Sequence, residues 1–489
     1  MENHWNRLRI QLAFLRGVWH IFDEQHAQIQ EELLHTLQAK LSAAASKVEV
    51  ATKYTTGARR LGYLLFVRQS MDRLMADLDD WQKVFDPTWF LIIRISNPLI
   101  DTGIEEWRRL QTPEVSTPND SPVDTLDRLR HIQLVTTPTD SQAGGNVSIS
   151  LGSSGLKDAA ETPILFTESR VIQRPRSTKL MIIETVPAPE TAESIAIFKR
   201  NVQNLARKLT QLEPGTSGLL HCYGTVKRQS PQKRLLAIDL IFRTPDQYIM
   251  APVTLRQLLL ERPGAPPSLT QVVGLARQVA RAISFFHTCD FVHKSVRPEN
   301  MLVFLGNGED DNADSVLGPA FLVGYSQLRD AYFHTELRGD GDWHRNLYRH
   351  PQRQGVIAQQ RYIMQHDIYS LGVCLLEMGL WQSFVLYDEN QPPSLPDGLG
   401  LVLPDQGTQV QQSVDMATLN KNQLVSLAQT RLAPRTGDVY ASVVLACLTC
   451  LDPGNNAFGN EEDLKDEDGV LVGVRFIEQI LMQLEKIVV

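Results

Sequence analysis

The sequence predicts an α+β chain in which an N-terminal α-helical bundle is followed by a small β-rich lobe and a larger α-rich one. Three observations carry this. Apolar residues recur at helical spacing through roughly the first 110 positions. A polar stretch rich in Thr, Pro, Ser, Asp and Gly follows, over residues 111–162. Beyond it, short β-like runs give way near residue 245 to long helical patterns. At 489 residues the chain exceeds what one core usually holds, so about two or three domains are expected.

In the bundle, Trp5, Leu8, Leu12, Leu15, Trp19 and Phe22 form one apolar stripe, and Ile29, Leu33, Leu37, Leu41, Ala45 and Val48 form a second. Leu64, Val67, Met71, Leu74, Leu78 and Trp81 repeat the pattern, with a break expected at Pro87 and a further apolar stretch through Ile100 and Trp107. Within the polar linker, Leu126, Leu129 and Ile132 with basic residues between them read as a brace helix. The β-like runs are Ile164–Phe166, Leu180–Ile183, Leu219–Tyr223 and Leu235–Phe242, with a helix from Ile195 to Leu212 between the second and third. Residues 163–244 make the small lobe and 245–489 the large one. Ser268 and Gln271 form a capping box that opens a helix whose apolar face is Val272, Leu275, Ala276, Val279, Ala280, Ile283 and Phe286.

Composition narrows the function. With 43% hydrophobic and 21% charged residues the chain is an ordinary globular protein, and a formal net charge of −8 argues against a nucleic-acid binder. Five cysteines suit a reducing compartment rather than a disulfide framework, and the surroundings of Cys447-x-x-Cys450 read as a core helix, not a zinc knuckle. No signal peptide opens the chain and no apolar run is long enough to span a bilayer, so a cytoplasmic location is expected, with peripheral membrane contact through residues 1–110 left open.

The stretch His293-Lys294-Ser295-Val296-Arg297-Pro298-Glu299-Asn300-Met301-Leu302-Val303 resembles the catalytic loop of protein kinases, matching it at His293, Pro298, Glu299, Asn300, Leu302 and Val303. Asp367-Ile368-Tyr369-Ser370-Leu371-Gly372-Val373 and Cys447 through Pro453 resemble two later kinase landmarks, in the same order. The resemblance covers about residues 165–487 and implies a bilobal protein-kinase-like fold.

It also implies that the chemistry is missing, because phosphoryl transfer needs clamped phosphates, chelated metal and an oriented hydroxyl. Ser295 stands where the catalytic aspartate would be and has no carboxylate. Leu322, in Leu322-Val323-Gly324, stands at the metal-binding aspartate and offers no oxygen. Asn300 keeps the second metal position but is a weak site alone. Glu184 stands where the phosphate-pairing lysine would be, and as an anion would repel nucleotide. Asn201 replaces that lysine's glutamate partner. Phe166 through Lys179 contains no glycine to close over phosphates. His350-Pro351-Gln352 and Asn456 replace both halves of a conserved family salt bridge, so no lone buried charge is expected. A hinge at Phe242, Arg243 and Thr244 leaves weak ATP binding open. Neither metal nor cofactor is expected, and the acidic run Gly306–Asp314 reads as a solvated hairpin tip.

A helical domain, a polar linker and a degenerate kinase-like domain together resemble fungal HeLo-type proteins and, in domain order, the animal mixed-lineage kinase-like necroptosis effectors. The resemblance implies a catalytically inactive pseudokinase that works with protein partners as a switch or scaffold in immune-like or cell-death signalling. Two alternatives remain: a membrane-disrupting effector acting through residues 1–110, and a divergent active kinase using Asp330 or Asp342. The mixed charge of Arg7, Arg9, Arg16, Asp23, Glu24, Glu31 and Glu32 gives the first helices no strongly basic face.

Overall fold

The computed structural model describes residues 2–53 except 23, scattered positions between 75 and 105, and 149–488 apart from 153–158, 262–265, 307–316, 331–337, 404–409, 459–469 and a few shorter gaps. The brace helix at 126–134, the acidic run beyond Gly306 and Asn456 lie outside the described residues. Helices and antiparallel sheets are both present, as an α+β class requires. The chain divides into two compact units, residues 1–130 with 465–478 and residues 131–464 with 479–489.

In the first unit, helices Glu2–Val18 and Glu24–Lys53 bury Leu8, Phe14, Leu15 and Val18 on one and Ile29, Leu33 and Leu37 on the other. Trp81 stacks on Phe85 and donates its indole N–H to the Leu33 carbonyl at 2.8 Å, which ties a later segment to the second helix. Pro87 does not break the backbone, because residues 85–89 are helical. Buried Phe85 and Trp89 flank the proline, and Trp89 packs edge-on against Phe14 at 5.4 Å, so tertiary packing overrides the local penalty. The seam also contains buried Gln11, which donates to Asp86 Oδ1 at 3.1 Å and accepts from Gln82 at 3.0 Å. Residues 465–478 fall in this unit, although the sequence pattern runs the last domain through 489. A short apolar helix such as Val470–Phe476 carries no mark of which core takes it.

The second unit contains a five-stranded antiparallel sheet of β1 (Ala160–Pro163), β2 (Arg170–Gln173), β3 (Leu180–Pro187), β4 (Cys222–Gln229) and β5 (Leu235–Arg243), in the order β1-β2-β3-β5-β4. Central β3 is apolar at Met181, Ile182, Ile183 and Val186, all buried, as a strand covered on both faces should be. Helix Ala192–Leu209 connects β3 toward β4. The run Ile164–Phe166 is not a strand. It lies in the loop between β1 and β2, with Phe166 at φ 68°, while β1 is wholly exposed and so has no hydrophobic pattern to betray it.

The helices follow. Leu269–Thr288 opens on the expected capping box, with Ser268 Oγ accepting from the Gln271 amide and the Gln271 side chain accepting from the Ser268 amide. Met364–Leu380 is buried along its whole length, which its nearly continuous apolar sequence anticipates. A Cβ at Gly372 would lie 2.7 Å from Cys447 Cβ, so glycine permits the close approach of Asp438–Leu448. All five cysteines are free and buried, which confirms the core reading of Cys447 and Cys450. Strands Val253–Thr254, Met301–Leu305 and Leu317–Leu322 form a small sheet beside the loop from His293 to Asn300.

Candidate functional site

The loop from His293 to Asn300 is held by one carboxylate. Asp367, fully buried at the start of helix Met364–Leu380, accepts from the amides of His293 at 2.7 Å and Lys294 at 2.9 Å, and from Tyr362 Oη at 2.7 Å. His287 Nε2 lies 3.1 Å from its second oxygen. Burial alone would raise its pKa, but the bond and charge of His287, with His293 and Tyr362, hold it below the usual carboxylate range. With both oxygens engaged, Asp367 is a clamp rather than a base or a metal ligand. The clamp lets Lys294 adopt φ 65°, a conformation that non-glycine residues seldom take.

His293 is fully buried and stays neutral near pH 7, its pKa pushed down to about 4 by burial. Its Nδ1 accepts from the Ser295 amide at 3.3 Å, and its ring meets Phe286 and Tyr325 edge-on. Ser295 in turn accepts from the Asn300 side chain, whose Nδ2 donates to Ser295 O at 2.7 Å and to Ser295 Oγ at 2.9 Å. The amide nitrogen of Asn300 therefore faces the loop itself, while a metal could meet only its Oδ1. Gly324, at φ +96°, presses against the other side of Asn300, where a Cβ would come within 2.3 Å of Asn300 Cγ.

Leu322 is wholly buried at the end of its strand, its amide donating to Gly218 O at 3.2 Å, and Val323 donates to Asn300 O at 2.8 Å. Two residues on, Tyr325 is also fully buried. It stacks on Phe286 at 5.8 Å, lies 5.7 Å from Phe242 and donates its hydroxyl to Leu322 O at 3.0 Å. Its amide donates to Glu184 Oε1.

Glu184 corrects the sequence expectation. Burial pushes its carboxyl up to about 8 against the opposing pull of the Tyr325 and Gly324 amides, so near neutral pH it is largely protonated and not the expected anion. This side chain binds the backbone that follows Leu322-Val323. Glu184, Ser295, Asn300 and Leu322 are thus drawn into one bonded cluster. Asn201 is not: its Oδ1 is buried with no hydrogen-bond partner among the described residues.

The three residues named as a hinge lie at the end of the sheet. Phe242 and Arg243 lie inside β5, paired with Ile182 and Met181 on β3, and the Arg243 amide donates to His221 O at 3.0 Å. The Thr244 hydroxyl donates to Leu180 O at 2.9 Å. Phe242 is buried and Arg243 lies over the Tyr223 ring.

Sequence reasoning missed two charged networks. Arg256 is completely buried and meets Glu299 at 3.1 Å and Glu377 at 2.7 Å, with Ser383 and Tyr348 as further partners, and its cationic form is strongly favoured. Lys421 bonds Asp452 and approaches His350 Nε2 at 3.1 Å. An ion pair between buried Lys421 and part-exposed Asp452 therefore lies near His350-Pro351-Gln352. Of the carboxylates weighed for a divergent kinase, Asp342 is half-exposed and held by Arg345 at 3.5 Å, while Asp330 lends its backbone to a pairing with Phe291.

No family model matches the chain. It is similar to a probable serine/threonine-protein kinase of Dictyostelium discoideum, 26% identical over 114 residues. That stretch is 23% of this chain and only 6% of the relative, so the likeness is partial. Among the described residues no helix is long and apolar enough to cross a membrane.

Proposed function

We propose that the chain is a kinase-like protein without phosphotransfer activity, a pseudokinase that serves as a signalling switch or scaffold for protein partners. The observation that carries this reading is that the base position holds a serine bonded to Asn300, the metal position a buried leucine and the phosphate position a buried glutamate bonded to backbone. Asn300 holds Ser295, Glu184 holds the backbone of Gly324 and Tyr325, and Leu322 closes the metal position with hydrocarbon. Leu322 offers magnesium no oxygen, and a magnesium ion needs several. The partial similarity to a probable kinase supports the kinase-like part of the reading.

The test is thermal unfolding of the full chain with millimolar ATP, with and without Mg²⁺. Unchanged unfolding temperatures are expected. A rise of several degrees that depends on Mg²⁺ and vanishes in Asn300→Ala would reveal a working metal site and remove the observation that carries the proposal, since a ligand that binds only the native state must stabilise it.

In this reading the N-terminal helical unit delivers the output, as in the HeLo-type and necroptosis proteins that the domain order resembles, and the chain acts in the cytoplasm. Membrane disruption by residues 1–110 is the alternative form of that output. Dye release from anionic liposomes by the full chain would favour it, and intact liposomes would leave protein contact as the output.

A further inference from the structure

The outer edge of β4 is not bare. Thr225 donates its amide to Ile149 O at 2.9 Å and accepts from the Leu151 amide at 2.8 Å, so Ser150 bridges Thr225 in parallel as a one-residue strand added to the sheet. This tripeptide lies within the stretch read from its composition as unstructured linker. The Leu151 side chain packs against the cluster of Ile172, Met181, Ile183, Val226 and Ile241. It does so over Gly224, where a Cβ would lie 2.7 Å from Leu151 Cγ and 2.8 Å from Ile149 O. Glycine inside a strand commonly marks the close approach of another backbone, and Gly224 has one.

We propose that this edge is a docking site for an extended segment of a partner protein, one carrying an apolar residue, a small residue and a leucine in succession, and that Ile149-Ser150-Leu151 occupies it in cis. Three features fit a replaceable occupant. The segment is held by two backbone bonds at one residue of an eight-residue strand. Its contact with the core is a single leucine. The edge beyond Thr225, at Val226 through Gln229, pairs with no strand but β5 among the described residues. Strand addition of this kind draws affinity from the backbone and specificity from alternate side chains, here the leucine over Gly224. The proposal does not depend on the pseudokinase reading.

The test uses the full chain and a labelled peptide of residues 146–153, Asn-Val-Ser-Ile-Ser-Leu-Gly-Ser. The tethered segment competes at a high effective concentration, so the peptide should bind Leu151→Asp about tenfold or more tightly than it binds the wild type. Adding Gly224→Val, or replacing the peptide's leucine by aspartate, should abolish binding. Equal affinity for both chains, no binding to folded Leu151→Asp, or binding indifferent to Gly224→Val would overturn the proposal. So would a concentration-dependent wild-type dimer that the peptide dissociates, since the occupant would then be a second copy. Should Leu151→Asp not fold, exchange of the Thr225 amide in Leu151→Ala gives the same decision: it should quicken relative to wild type and slow again with peptide, and exchange unchanged by the variant would contradict the docking.

Discussion

A carboxyl as deeply buried as that of Glu184, with a pKa of about 8 against 4.5 in the unfolded chain, keeps its proton where a surface glutamate would have lost it. Between those values the folded protein binds more protons than the unfolded one. Its contribution to stability is therefore fully present below pH 4.5 and is lost as pH rises through 8, at up to about 1.4 kcal/mol per unit. Glu184→Gln keeps an acceptor for the Tyr325 amide without titrating. The difference in unfolding temperature between wild type and this variant should shift against the wild type from pH 5.5 to pH 7.5, and a constant difference would show that Glu184 does not titrate in that window. Leu322→Asp, which restores the kinase residue type, should create an unpaired buried charge and destabilise the fold by about 3–5 kcal/mol, read by chemical denaturation, without creating activity. The sequence identified Ser295, Asn300 and Leu322 because they sit in or near one continuous motif. It misjudged the charge of Glu184 because ionisation depends on burial and on the amides of residues about 140 positions away.

At the scale of elements, Arg256 joins helix Leu255–Glu261 to the loop at Glu299, to Tyr348 and to Glu377 near the end of helix Met364–Leu380. Arg256→Met should leave two buried carboxylates facing each other without a cation and lose about 3–5 kcal/mol in denaturant titration. A loss under 1 kcal/mol would mean that the carboxyls simply protonate. By contrast, Ser268→Ala removes one exposed cap and should lose about 1 kcal/mol. The contrast explains what was legible. The capping box is written in four consecutive residues and was read correctly, whereas the partners of Arg256 are spread from Glu299 to Ser383 and no local pattern connects them. The β1 strand escaped for a related reason, since its exposed Ala160–Pro163 is defined by pairing with β2 and not by its own side chains. The apolar Ile164–Phe166 beside it suggested a strand and formed the connecting loop instead.

At the scale of the whole molecule, helical periodicity followed by short β runs gave the α+β class correctly. The division into units was harder to read, because residues 465–478 join the first unit while 479–489 join the second, and the apolar pattern of that helix serves either core equally well. The central claim is that a loop clamped by Asp367 and bonded internally through Ser295 and Asn300 retains a scaffold and no reagents. The most direct measurement is transfer of labelled phosphate from ATP, to itself or to a generic substrate protein, by the purified full chain with Mg²⁺ and with Mn²⁺, beside Asn300→Ala. The account predicts no incorporation above the level of the variant with either metal. Incorporation by the wild type that disappears in Asn300→Ala would contradict it, because Asn300 would then be supporting metal-dependent transfer.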